Sequence, residues 1–163
     1  MCAAALAMAW LPVQAADRVN DVAVKAAYLV RFLPFVEWPV PGTGPLVIGV
    51  FAHEDMVRHL EAILPGRRVS GREVQLRRVQ ASEAHDNLNA IFLGQPLQGG
   101  RLADSLKGQP VLVVADGGLP DGAMLGFVIV DGRVGFEASP AAAARVGLKL
   151  GARLLAIAER VQR

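Results

Sequence analysis

Apolar residues fall along this chain in short runs of strand length, separated by polar, glycine-bearing or proline-bearing breaks. Leu46-Val-Ile-Gly-Val-Phe-Ala52 is continuous and apolar, the pattern of a strand buried on both faces, as in a parallel sheet. Arg72 to Val79 alternates polar with apolar and reads as a strand nearer an edge. Leu88 to Leu93 and Pro110 to Ala115 are again continuous and apolar. Helical patterns lie between them: Glu54 to Leu64, ended by Pro65-Gly66, a short turn within 81–87, and a short helix over 99–107. Ahead of the first strand, residues 21–33 are good helix formers with Asn20 or Asp21 as cap, halted by Pro34. Phe35-Val36-Glu37-Trp38-Pro39 reads as a rigid corner docked on the core, and residues 41–45 as a turn-rich connector.

The C-terminal quarter has its own pattern. Met124 to Val130 and Arg133 to Ala138 are β-rich runs joined by Asp131-Gly132, a dipeptide that supplies the positive φ angles of a two-residue hairpin turn. Ser139 offers a capping oxygen and Pro140 suits the first helical position, so the spacing predicts a long helix from there to the C-terminus. On a wheel, Arg145, Lys149 and Arg153 share a wet arc opposite Ala143, Gly147 and Gly151. Glycines on that buried face imply close backbone approach to the sheet. Strand and helix alternate overall. The predicted fold is α/β, a three-layer sandwich whose mostly parallel sheet has about six strands, with an antiparallel C-terminal hairpin at its edge and a long C-terminal helix.

Composition narrows the class. The 163 residues suit one domain, and 53% hydrophobic with 20% charged residues of both signs excludes a disordered chain. Net charge is only +2, and the cluster Arg67, Arg68, Arg72, Arg77 and Arg78 has no interleaved aromatics, so nucleic acid is not the expected partner. Residues 1–15 are uncharged, apolar and end in Val13-Gln14-Ala15, the pattern of a signal peptide with an incomplete basic start. The expectation is export to the periplasm, with 16–163 as a single domain. The one cysteine, Cys2, lies within that leader, leaving the rest of the chain without a thiol.

Chemistry is sparse. No glycine-rich phosphate loop follows the first strand, no nucleophile elbow surrounds Ser70, Ser82, Ser105 or Ser139, and neither His53 nor His59 fits a His-Glu-x-x-His pattern, which leaves His53, Glu54 and His85 as the one open metal-ligand set beside a reading as solvated loop and helix-start residues. No cofactor and no catalysis are expected. Glu137, at a strand end beside the predicted helix start, could meet free amides or a ligand.

Two sets of blocks resemble the YfiR family of periplasmic proteins: Val24-Lys-Ala-Ala-Tyr-Leu29, Phe32 and Phe35 to Pro39 in the first half, then Gly122 to Phe127, Arg133 to Glu137 and Gly147 to Leu155 in the second. The resemblance implies a non-catalytic α/β protein that holds a membrane-bound diguanylate cyclase inactive by contacting its periplasmic sensory part. It also implies release by an outer-membrane, peptidoglycan-binding protein, and a homodimer is compatible with it. Members of that family often carry a Cys-His pair just before the third apolar strand, where this chain has Leu88-Asn89, so disulfide-based redox control is not expected. Candidate partner or ligand contacts, chosen from the matching blocks, are Arg31, Phe35, Glu37, Trp38 and Glu137, with Phe35 and Trp38 also suited to packing. The competing reading is a small-ligand sensor with a pocket between the hairpin and the N-terminal corner for an aromatic or anionic ligand.

Overall fold

The structure, a computed structural model, describes residues 14–98 and 100–162. The first helix, α1 (Gln14–Phe32), runs into a 3-10 turn over Leu33–Phe35, where Pro34 removes a backbone donor and stops the α-helix. Asn20 and Asp21 therefore lie within α1 rather than at its cap, and the leader assigned to residues 1–15 falls almost wholly outside the described residues. The strands and helices that follow are β1 (Val36–Glu37), β2 (Leu46–Phe51), α2 (Glu54–Ile63), β3 (Arg68–Val69), β4 (Arg72–Val79), β5 (Ala90–Leu93), α3 (Arg101–Leu106), β6 (Leu112–Asp116), β7 (Leu125–Val130), β8 (Arg133–Ala138), α4 (Pro140–Ala144), β9 (Lys149–Leu150), α5 (Ala152–Ala156) and β10 (Arg160–Val161).

Eight strands form one sheet in the order β10-β8-β7-β6-β5-β2-β4-β3. The central pairs β4–β2, β2–β5, β5–β6 and β6–β7 are parallel, as the continuous apolar runs imply. The β7–β8 hairpin is antiparallel and turns at Asp131 (φ 49°) and Gly132 (φ 72°), both left-handed as a type I′ turn requires. It is not the sheet edge, because β10 adds alongside β8 in parallel.

Alternation along the strands separates two cores. Ile48, Val50, Phe92, Val114, Phe127 and Phe136 join the residues of α1 and α2 in the larger one. Val47, Val79, Ile91, Leu93 and Val111 form the smaller one with Leu102 of α3. The second face is thus covered by a six-residue helix, a thinner layer than a three-layer sandwich implies. Residues 81–87 form turns and irregular chain rather than a helical turn; the Ala81 carbonyl accepts from Leu102 N–H at 3.1 Å, so α3 itself organises this stretch.

The predicted long C-terminal helix does not form. Ser139 does cap α4, its Oγ accepting from Ala142 N–H at 3.3 Å, but α4 ends after five residues. Gly147 adopts φ +79°, Gly147 N–H donates to Ala144 and Leu148 N–H to Ala143, the paired bonds that close a helix on a left-handed glycine. Leu148 and Leu150 then turn inward around exposed Lys149, an extended alternation. Gly151 does approach another backbone closely, its N–H donating to the Phe35 carbonyl at 2.8 Å, but it does so in extended chain and against the 3-10 turn, not as a helix against the sheet.

Candidate functional site

The N-terminal corner and the segment after α4 are far apart in sequence and meet in space. Val36 and Glu37 of β1 pair antiparallel with Leu150 and Lys149 of β9, forming a separate two-stranded clasp. Phe35 is half-buried against the larger core and lends its carbonyl to Gly151. Trp38 is half-buried too, and its indole N–H donates to the Asn89 carbonyl at 3.3 Å. Asn89 is a fixed anchor, because its Oδ1 accepts from Val47 N–H and its carbonyl also accepts from Leu112 N–H. These two aromatics lock the clasp onto the amino end of the parallel strands, so packing explains both.

The exposed part of the same segment is what another protein could touch. Arg31 is exposed on the last turn of α1 and makes no ion pair among the described residues. Glu37 is exposed and reaches Lys149 Nζ at 3.5 Å across the clasp. Val40, between Pro39 and Pro41 in the connector that follows, is 76% exposed.

Glu137 does not belong to this group. Phe136 and Ala138 point into the larger core, so Glu137 projects from the other face of the sheet, where its Oε1 lies 3.5 Å from Arg160 Nε of β10. With α4 capped by Ser139, Glu137 serves the β8–β10 edge and not a helix terminus.

A third cluster, not recognised in the sequence, sits at the carboxyl ends of the parallel strands, where α/β sheets commonly hold ligands. Lys25 Nζ of α1 lies 2.8 Å from Asp116 Oδ1 at the end of β6, with both side chains largely shielded. His53 caps α2 by accepting from Met56 N–H at Nδ1, and its Nε2 faces Asp116 Oδ2 at 4.0 Å. The His53 ring also meets the edge of Phe92. The arrangement joins α1, α2 and β6, and Asp116 already shares its charge with an ammonium group. His85, the other metal-ligand candidate, has its own neighbour in Glu83 Oε2 at 3.2 Å. A Lys25→Met, Asp116→Asn double-mutant cycle measured by chemical denaturation should show coupling of about 1–3 kcal/mol. Additive single effects would mean the pair is screened by water and does not hold α1.

A cleft of about 500 Å³ lies elsewhere again, between α3, the loop through Pro120–Ala123 and α4. None of Arg31, Phe35, Glu37, Trp38 or Glu137 lines it, so it is not the expected pocket between the hairpin and the N-terminal corner.

No helix among the described residues is long and apolar enough to cross a membrane. Residues 22–159 match the family model described as YfiR/HmsC-like. No curated protein matches the chain.

Proposed function

The chain belongs to the YfiR/HmsC-like family, and from that premise we propose that it is a non-catalytic regulatory protein of the periplasm that inhibits a membrane-bound diguanylate cyclase by contacting the cyclase's periplasmic sensory part. An outer-membrane, peptidoglycan-binding protein that sequesters it would relieve the inhibition. The observation that carries this reading is the clasp. Two sequence blocks separated by more than a hundred residues pair there, Phe35 and Trp38 of the first pack against the core, and Arg31, Glu37, Val40 and Lys149 stay exposed around the pairing. A surface held still before binding loses little conformational freedom on association, which favours recognition by contact.

The purified chain should bind the isolated periplasmic part of the cyclase. The double charge reversal Glu37→Lys, Lys149→Glu keeps the clasp's ion pair with its polarity exchanged, and should weaken binding at least tenfold with an unchanged melting temperature. Wild-type affinity in that variant would place the contact surface somewhere else, and no binding by the wild type would remove the reading.

A further inference from the structure

The contact reading leaves the cleft between α3 and α4 without a role, and its form follows from the thin cover on that face of the sheet. Among the described residues α3 is the one helix in the smaller core, and the side chains of Leu106, Val111, Val113, Met124 and Val146 line about 500 Å³ of space open to solvent. That volume falls within the roughly 300–1,000 Å³ typical of small-molecule sites, which pair apolar walls with a few polar groups at defined places. The charged residues at the walls are Lys107, Asp121 and Arg145, a net single positive charge. Lys107 is held by Asp104 at 2.7 Å, whereas Arg145, exposed at the end of α4, makes no ion pair among the described residues. A guanidinium in that position offers a planar fork suited to a carboxylate.

We propose that this cleft binds a small amphipathic carboxylate, with an alkyl or aryl body on the apolar walls and its carboxylate on Arg145. The site stands apart from the clasp, so a ligand there could accompany partner binding without competing for Glu37 or Lys149. Burial of the apolar body supplies most of the affinity, and the cation sets the preference for an acid over its neutral counterpart.

The test uses the full chain with octanoate and 3-phenylpropionate, each against the corresponding amide, followed by melting temperature and by backbone amide resonances. The acids should raise the melting temperature with concentration, as mass action requires of a ligand that binds only the folded state. The resonances that move should centre on Val113, Gly122 and Val146. Arg145→Gln should weaken the acids at least threefold and leave the amides unchanged, and Ala142→Trp should fill the cleft and abolish binding. No shift with either acid, shifts centred away from these residues, or equal binding of acid and amide would overturn the proposal. None of these readouts involves the cyclase, so failure here and failure of the contact reading are separable.

Discussion

Replacing Phe32 with alanine should lower the stability of the folded chain by about 3–5 kcal/mol, the range for removing a fully buried phenyl ring. Phe32 is 1% exposed and is the centre of an aromatic cluster. Its ring lies 4.8 Å from that of Phe136 in an edge arrangement, 5.7 Å from Phe127 in a stacked one, and 5.8 Å from Tyr28 one turn earlier in α1. Those contacts tie the helix to both strands of the hairpin, so truncation opens a cavity at the joint between the first and last thirds of the domain. Natural domains are stable by only about 5–15 kcal/mol, which makes this a substantial fraction of the total. The melting temperature should fall by roughly 2–4 °C for each kcal/mol in a chain of this length. Val40→Ala, at a 76% exposed position, is the control and should be near neutral. A loss below about 1 kcal/mol at Phe32 would mean that the cluster is not closely packed.

The second large effect concerns a glycine. Gly126 lies in β7 with Leu125 and Phe127 turned into the larger core, so its missing side chain would point to the other face. There the Gly117–Gly118 loop folds back over the strand, held by Gly117 N–H and Gly118 N–H, which donate to the Phe127 carbonyl at 3.1 and 2.8 Å. A β-carbon at 126 would overlap the Gly118 carbonyl, a backbone group that no side-chain rotation can move aside. Both loop glycines have positive φ, and moving the loop away would break both of their hydrogen bonds to Phe127. Gly126→Ala should therefore destabilise by about 3 kcal/mol or more, at the upper end of the overpacking range. Gly44→Ala, where a β-carbon meets nothing within 4 Å, should stay within about 0.5 kcal/mol of the wild type. Equal behaviour of the two variants, read from denaturant midpoints, would contradict the close crossing at Gly126.

Local chemistry explains which parts of this fold are legible in the sequence. The runs 46–51 and 72–79 are strands because their patterns match their burial, and Asp131-Gly132 and Ser139 act through their immediate neighbours. The region beyond Ala144 is not legible in this way. Arg145, Lys149 and Arg153 lie four residues apart, a spacing that satisfies a helix wheel, yet an extended segment and a second short helix expose them equally well. What decides is Gly147, whose left-handed conformation ends α4, together with the pairing of Leu150 to Val36. A long-range partner of that kind leaves no local trace. The same holds for Lys25 and Asp116, 91 residues apart, each unremarkable alone. The inward role of Phe35 and Trp38 could be anticipated from their size. The separation of Glu137 from the clasp could not, because it depends on which face of β8 meets α1.

The contact reading is tested most directly in living cells by measuring cyclic-di-GMP while the full chain is expressed together with the membrane diguanylate cyclase it is proposed to restrain. The wild-type chain should lower the nucleotide several-fold relative to cyclase alone, and the Glu37→Lys, Lys149→Glu variant, present at equal abundance, should restore most of it. Cyclic-di-GMP unchanged by the wild-type chain, with both proteins confirmed present, would contradict the account.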